Sequence, residues 1–227
     1  MRAGSRPAHA RPPIVRAAPG SLIDRLPGSG RAVALTVDDG VSSAVVEAYA
    51  QFVAVSGVRL TFFPNGSYPS WTEHRQLLRP LVESGQVQLG NHTWSHPNLL
   101  SCSDSEVAEQ ISRNERFLRD TFGVSGQPFL RPPFGAHSPR IDRLAAELGY
   151  GVITMWYGSL GDSTLLPEAQ LMANAHEWMR PGHIVIGHAN HATVTHLFRQ
   201  LLELIGQRGL DMVTLDDVFS PSADRSR

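Results

Sequence analysis

The stretch LTVDDGV, residues 35–41, places two adjacent aspartates and a glycine directly after an alternating run of apolar residues. Val33, Leu35 and Val37 have the period-two spacing of a buried strand. Two carboxylates in contact at the partly dry end of such a strand oppose each other's ionisation, so the pair needs a proton or a cation beside it. The alternative is a plain turn, because Asp-Asp-Gly ends a strand well and Gly40 tolerates a positive φ. The rest of the chain decides between these interpretations.

Length and composition indicate a globular domain. The chain has 227 residues, enough for one domain with a sizeable core, and 41% of them are hydrophobic. No uninterrupted apolar run approaches the length of a bilayer span, so we expect no transmembrane segment. The formal net charge of −1 gives no overall basic field, and we expect no nucleic-acid partner. Cys102 is the only cysteine, so an internal disulfide is excluded.

The first 30 residues differ in composition from the rest of the chain. Residues 1–30 are rich in Arg, Pro, Ala and Gly, and no apolar stretch of roughly 7–15 residues follows the basic ones, as an intact secretory signal requires. We therefore expect a basic arm or tail over residues 1–30, a folded domain over residues 31–220 and a short tail over residues 221–227.

From residue 31 onward, apolar runs alternate with segments of helical spacing. The predicted strands cover residues 32–37, 58–63, 86–90, 128–130, 151–155, 183–186 and 211–215. The predicted helices cover residues 42–56, 71–83, 104–122, 139–148, 167–179 and 191–207. Short strands that alternate with helices predict a parallel sheet and, at this length, a closed or nearly closed barrel.

In such barrels, polar residues at the carboxyl ends of the strands meet on one face. The segments that follow the predicted strands include DDG at 38–40, GNHTWSHPN at 90–98, RPPFG at 131–135, WYGSLGD at 156–162 and HANH at 188–191. His92 and His96 are four residues apart and are predicted to face the same way on a helical turn that Pro97 ends. Two imidazoles and a carboxylate suit a zinc-like divalent ion and leave a position open for water or substrate. The alternative is that His92 caps a turn and His96 bonds to backbone, but a carboxylate pair on the same face favours the metal.

Five motifs then carry a resemblance to a known family. TVDDG, LTFFPNG, GNHTWSHP, RPPFG and HIVIGH occur in the order typical of the polysaccharide deacetylase (NodB-homology) family of metal-dependent carbohydrate esterases, which the sequence resembles from about residue 31 to 219. The resemblance implies an α/β fold, a distorted parallel (β/α) barrel with seven or eight strands, and a catalytic domain over residues 31–220. It implies removal of N-acetyl groups from N-acetylglucosamine-type units of a glycan. The implied cofactor is one divalent metal ion, zinc in the first place, with cobalt or nickel as alternatives.

The resemblance also assigns roles to individual residues. Asp39 would bind the metal together with His92 and His96. Asp38 would be the general base, and Arg131 would pair with Asp38 and hold it in place.

Further roles concern proton donation and the walls of the substrate site. His188 would be the general acid, and Ile186 and Trp156 would wall a small acetyl pocket. The backbone N–H of Phe134 is the first after the Pro-Pro pair and is expected to donate to the oxyanion, since proline lacks that proton.

The segment WYGSLGDST, residues 156–164, departs from the family pattern. Ser159 stands where an aspartate is expected and Ser163 where a tryptophan is expected. Asp162 is the remaining acid, and we expect it to be the partner of His188. The departure leaves the shape of the acetyl pocket, and hence the substrate, open.

Several other residues have two interpretations each. Trp71, Trp94 and Tyr68 are expected either to stack on pyranose rings or to anchor loops. His137, His191 and His196 are expected on the surface or at a turn, with His191 alternatively in a proton-transfer network and His137 in contact with sugar.

Three functions fit the sequence. The favoured one is a metal-dependent N-deacetylase whose partner is an N-acetylated glycan. The second keeps the fold and metal but hydrolyses a cyclic imide or ureide, and the third is a catalytically silent carbohydrate-binding module. The resemblance favours an extracytoplasmic location, although no intact signal peptide is recognised.

Overall fold

The computed structural model describes residues 15–17 and 21–221, with side chains over residues 21–219. The strands are β1 (Val15–Ala17), β2 (Ser21–Ile23), β3 (Ala32–Asp39), β4 (Leu60–Pro64), β5 (Val87–Leu89), β6 (Phe129–Leu130), β7 (Val152–Thr154), β8 (Gly158–Ser159), β9 (Ile184–His188), β10 (Asp211–Met212) and β11 (Phe219–Pro221). The α-helices are α1 (Ser43–Ser56), α2 (Ser70–Glu73), α3 (Arg75–Glu83), α4 (Asp104–Phe122), α5 (Pro139–Glu147), α6 (Glu168–Trp178) and α7 (Phe198–Arg208). Short 3-10 turns cover Leu99–Ser101, Pro133–Gly135 and Ala192–Leu197.

The strands β3 to β9 follow one another around a distorted barrel. One parallel sheet has the order β5-β4-β3-β9-β8, with β10 also paired to β3, and a second has the order β2-β7-β6. A parallel bridge between Asn91 and Leu130 joins β5 to β6 and so connects the two sheets. Within the described residues no ladder joins β7 to β8. There β2 pairs with β7 instead, and Arg25 bridges to His183 next to β9. This interruption is what distorts the barrel.

The central strand β3 has two different faces because side chains alternate along it. Val33, Leu35 and Val37 belong to the apolar cluster packed against the outer helices. Ala34 on the opposite face belongs to the cluster inside the barrel. Asp38 continues this inner face at the carboxyl end of the strand, so its carboxylate enters the mouth of the barrel.

Local signals set the ends of several helices. Helix α4 begins with a capping box in which Ser103 and Glu106 satisfy each other's backbone N–H groups, and it ends at Gly123 in the left-handed conformation. Helix α1 ends in the same way at Gly57. These helix ends turn the chain back towards the sheet, so that the following strand lies beside the previous one.

The structure confirms the α/β barrel and most of the predicted elements, with three differences. The predicted helix over 71–83 is divided into α2 and α3 at His74, and the segment over 191–207 begins as a 3-10 turn before α7. Strands β1, β2, β8 and β11 were not predicted, because two or three residues are too few to produce a period-two pattern. The boundaries at residues 30 and 220 stay predictions, since most of the arm and tail lies outside the described residues. Among the helices that the structure describes, none is long and apolar enough to cross a bilayer.

Candidate metal and catalytic site

The two adjacent aspartates point in different directions at the end of β3. Asp38 has extended backbone and is buried, whereas Asp39 adopts a left-handed φ of 73° and Gly40 a φ of 101°. A side chain at Gly40 would overlap the Trp71 indole, because a Cβ there would lie 2.3 Å from Nε1. The Asp39 carbonyl in turn accepts hydrogen bonds from the Trp71 indole N–H (2.9 Å) and the Asn65 backbone N–H (3.2 Å). The turn is therefore held in a conformation that separates the two carboxylates.

Asp39, His92 and His96 form a three-residue cluster at the mouth of the barrel. Asp39 Oδ1 lies 3.3 Å from His92 Nε2 and 3.4 Å from His96 Nε2, and the three ligand atoms lie within 4.8 Å of one another. His92 Nε2 is also 3.6 Å from Asp38 Oδ2. The three residues that were predicted from the sequence as metal ligands therefore lie close together.

The donor set of this cluster fits a divalent cation. His92 Nδ1 lies 2.6 Å from the Arg131 carbonyl, which only accepts, so Nδ1 carries the hydrogen and Nε2 of the neutral ring has its lone pair towards Asp39. Asp39 Oδ1 is buried and has no hydrogen-bond partner among the described residues. Burial lowers the pKa of His96, which favours its neutral imidazole. One carboxylate oxygen and two imidazole nitrogens that face one another fit a metal ion with nitrogen and oxygen ligands.

The ionisation state of Asp39 also fits the role of a metal ligand. Burial raises the pKa of Asp39, but the neighbouring imidazoles and the Asn190 amide N–H, which donates to Oδ2, lower it, and the net pKa is well below its usual range. The carboxylate is therefore ionised at neutral pH and available as a ligand.

The loop that carries the two histidines is not the helical turn that the spacing predicts. Thr93 and His96 have left-handed φ values of 69° and 59°, which a right-handed turn excludes. The side chain of Asn91 accepts from the Thr93 N–H and donates to the Ile111 carbonyl, so a buried amide organises the loop in place of helical hydrogen bonds. The imidazoles still converge, with ring centroids 4.8 Å apart.

Arg131 is completely buried beneath Asp38. Its Nη1 donates to Asp38 Oδ1 at 2.9 Å, its Nε to the Thr154 carbonyl at 2.7 Å and its Nη2 to Thr36 Oγ1 at 3.1 Å. Burial lowers the pKa of Arg131 while Asp38 opposes that effect, and an arginine guanidinium keeps its charge in such a setting. The pair leaves Asp38 Oδ2 free towards the histidine cluster.

His188 and Asp162 form a second pair on the other side of the cleft. The carboxylate of Asp162 is almost fully buried, and its Oδ1 lies 3.0 Å from His188 Nδ1 while Oδ2 accepts from the His188 backbone N–H at 3.2 Å. Burial lowers the pKa of His188, but the hydrogen bond with Asp162 and the charge of Asp38 raise it, and the net pKa is raised. Asp162, the acid that remains in the divergent segment, is thus in contact with His188.

These groups surround one cleft with a volume of about 520 Å³. Its lining includes Asp38, Asp39, Val41, Tyr68, His92, His96, Phe134, Trp156, Ser159, Ser163, Ile186, His188 and Asn190. Arg131 and Asp162 lie behind this surface, in contact with Asp38 and His188. All ten residues selected from the sequence as catalytic, metal-binding or substrate-binding therefore lie in the cleft or directly behind it.

Phe134 has an unusual backbone in the RPPFG turn. Its φ is 60°, its side chain is 69% exposed and its ring lies 4.6 Å from that of His96. The next two residues, Gly135 and Ala136, donate their N–H groups back to Pro132 and Pro133. The Phe134 N–H donates to no described protein group, so it is available to a ligand.

The remaining aromatic candidates divide between the two interpretations. Trp71 is completely buried and bonds to Asp39, so it anchors the loop and cannot stack on a sugar. Trp94 packs against Phe117 and under the Arg113 guanidinium, away from the residues that line the cleft. Tyr68 does line the cleft.

The three additional histidines have separate surroundings. His137 pairs with Asp142 at 3.1 Å, and His196 pairs with Glu168 at 3.0 Å on the surface. His191 makes no hydrogen bond or ion pair with a described residue. None of the three lines the cleft.

Sequence reasoning missed Asn190, whose side chain donates to Asp39 Oδ2 at 2.7 Å. It also missed Asn65 and the role of Trp71 in holding the Asp39 carbonyl. The only signal for Asn190 is its place two residues after His188 at a strand end, which is where polar residues of a parallel barrel converge.

Comparison with known proteins agrees with this fold. The sequence is 29% identical over 195 residues to the peptidoglycan-N-acetylglucosamine deacetylase of Listeria monocytogenes, a match covering 84% of this chain and 39% of that protein. The chain thus spans about two fifths of the length of that relative.

Two solved structures share the fold at lower sequence identity. The chitin deacetylase from the fungal pathogen Colletotrichum lindemuthianum is 22% identical with a TM-score of 0.79, covering 92% of this chain and 96% of that one. A CE4 family pseudoenzyme from Bacillus anthracis is 19% identical with a TM-score of 0.77, covering 89% and 69%. A pseudoenzyme among them means that fold alone does not establish catalysis. The polysaccharide deacetylase family profile matches residues 25–153, more than half of the sequence, and the chain belongs to this family.

Proposed function

We propose that the protein is a metal-dependent hydrolase that removes N-acetyl groups from N-acetylglucosamine-type units of a polysaccharide or oligosaccharide. The observation that carries the proposal is the convergence of three groups on one cleft: the Asp39–His92–His96 cluster, the Asp38–Arg131 pair and the Asp162–His188 pair. Amide hydrolysis needs an activated water, a stabilised oxyanion and a proton for the leaving amine. The cleft offers a group for each need.

Asp39, His92 and His96 are proposed to hold the metal, and zinc is the proposed ion. Their oxygen and two nitrogens suit zinc and leave positions open to solvent or substrate. When bound, such an ion polarises the scissile carbonyl and lowers the pKa of water.

Asp38 is the proposed general base. Arg131 occupies its Oδ1 at 2.9 Å, which leaves Oδ2 as the oxygen that accepts the proton of the attacking water. The buried guanidinium also places a positive charge beside the base and holds its carboxylate in position.

His188 is the proposed general acid. Because its pKa is raised by the buried Asp162 contact and by Asp38, against the effect of burial, the imidazolium persists at a higher pH than an ordinary histidine. With Nδ1 bonded to Asp162, Nε2 is the atom that donates to the leaving amine. The Phe134 N–H is the proposed second donor to the oxyanion.

Ile186 and Trp156 are proposed to wall the acyl end of the site. Ile186 lies on β9 two residues before His188, and its partner in the adjacent strand β8 is Ser159. We propose an extracytoplasmic location, because the curated relatives are named for peptidoglycan and chitin, polymers that lie outside the cytoplasm.

The test is acetate release from N-acetylglucosamine oligomers and from peptidoglycan, with metal-free and zinc-reconstituted protein compared side by side. We expect acetate only with the metal, and the ranking of the substrates identifies the preferred glycan. Zinc bound stoichiometrically without acetate from any glycan would contradict the proposal. In that case a cyclic imide substrate, tested with the same preparation, separates the second enzymatic alternative from a silent binding module.

A further inference from the structure

Asn190 connects two segments that meet at the mouth of the barrel. It follows β9, and its side-chain Nδ2 donates to Asp39 Oδ2 at 2.7 Å, 151 positions earlier in the sequence. Its Oδ1 accepts from the Val41 backbone N–H at 3.3 Å. One side chain therefore contacts both the candidate metal ligand and the turn that follows it.

The two partners of Asn190 require an amide. Asp39 Oδ2 accepts a hydrogen bond in this contact, while the Val41 N–H only donates. An asparagine side chain supplies one donor and one acceptor at the required spacing, so the contacts fix the orientation of the amide. A carboxylate at this position would face Asp39 with a like charge, and an alanine would reach neither partner.

The backbone around Asn190 is held in the same register. The Ala189 N–H donates to the Asp38 carbonyl at 2.9 Å, and the Ser42 N–H donates to the Ala189 carbonyl at 3.0 Å. These bonds extend the pairing of β9 with β3 past the end of the strands. The position of the Asn190 amide relative to Asp39 is thus set by the sheet itself.

Asn190 leaves only one oxygen of Asp39 free. Oδ2 is committed to the amide, whereas Oδ1 is buried, has no hydrogen-bond partner among the described residues and lies 3.3–3.4 Å from the two imidazole nitrogens. We propose that Asn190 is a positioning residue that directs Asp39 Oδ1 to the metal and withholds Oδ2 from it. This inference rests on the metal assignment of the proposed function. By occupying Oδ2, Asn190 keeps Asp39 a one-oxygen ligand and leaves the remaining metal positions to water and substrate.

The test measures zinc affinity without substrate. Wild type, Asn190→Ala and the neighbouring control His191→Ala are titrated against a chromogenic zinc chelator, and the melting temperature of each is recorded in excess chelator. Loss of a group that orients a metal ligand typically weakens metal affinity by about 10–100-fold, and we expect this for Asn190→Ala. His191 makes no hydrogen bond or ion pair with Asp39 or the histidine cluster, so its removal should leave zinc affinity unchanged.

A merely structural role gives a different result. Asn190→Ala would then melt at a lower temperature in chelator but bind zinc as tightly as wild type, and that outcome overturns the inference. If Asn190→Ala does not fold, Asn190→Ser, whose hydroxyl is too short to reach both partners, should show the same weakening. Weaker zinc binding in a protein that releases no acetate would support the role of Asn190 while contradicting the deacetylase proposal. A wild-type protein without zinc affinity would contradict both.

Discussion

Replacing Asp162 with asparagine should move the alkaline limit of activity to lower pH. Asp162 receives two donors, His188 Nδ1–H at 3.0 Å and the His188 backbone N–H at 3.2 Å. An amide offers one oxygen for these two donors and carries no charge. Burial lowers the pKa of His188 and Asp162 raises it, so without the carboxylate the pKa falls and the imidazolium is lost at a lower pH.

The size of the effect follows from the contact that is removed. A hydrogen bond to a charged group contributes about 1.5–3 kcal/mol, which corresponds to roughly a 10- to 150-fold loss of turnover where His188 must be protonated to act. The loss should be largest on the alkaline side and should shrink as the pH falls, because protonation then no longer depends on Asp162.

The assay is acetate release over a pH series at equal zinc occupancy. The matched control is Glu168→Gln, which removes a carboxylate 3.0 Å from His196 Nδ1 in an exposed pair outside the cleft and should leave the pH profile unchanged. An Asp162→Asn profile with the wild-type alkaline limit, or a loss equal at every pH, would refute the proposed coupling between Asp162 and His188.

Three further substitutions test other parts of the site. Asp38→Asn should retain zinc and lose about 100- to 10,000-fold in turnover, the usual contribution of a general base. Metal analysis together with an acetate-release assay checks this prediction, and near-normal activity would contradict the assignment. His92→Ala should lose zinc on dialysis, while the control His137→Ala should keep it, so equal metal content in both proteins would count against the ligand set. Trp71→Phe removes one of the two donors to the buried Asp39 carbonyl and should lower the free energy of unfolding by about 0.5–1.5 kcal/mol in urea denaturation. An unchanged midpoint would show that the bond is dispensable.

The barrel and the position of the site follow from local sequence patterns. The period-two run before Asp38 predicts β3, and the rule that parallel strands converge at their carboxyl ends places Arg131 and His188 beside it. The structure brings these side chains together, and their chemical roles remain predictions that the substitutions above address. Position along the chain was sufficient to predict that Asp38, Arg131 and His188 lie together, because each of them is at or directly after the end of a strand.

Other features of the site have no local pattern. Asn190 reaches Asp39 only because β9 lies next to β3, and an amide in a loop has no periodicity that marks its partner. The i, i+4 spacing of His92 and His96 is typical of a helix, yet Thr93 and His96 adopt left-handed φ values, with the Thr93 N–H bonded to Asn91 Oδ1 and the His96 N–H to Thr93 Oγ1. Side-chain hydrogen bonds, long-range for Asn190 and local for the histidine loop, decided both cases, and hydrophobic spacing does not reveal them.

The backbone conformation of Phe134 has a consequence for directed evolution of this protein. A bulky residue in the left-handed region is disfavoured by about 1–2 kcal/mol because its Cβ lies too close to the following carbonyl oxygen. Phe134 is also 69% exposed. Glycine would remove both penalties and keep the backbone N–H. A library screened for heat resistance alone should therefore accumulate Phe134→Gly early. It would then lose the aromatic ring that Phe134 contributes to the cleft. Screening for turnover in alternate rounds is the way to preserve it.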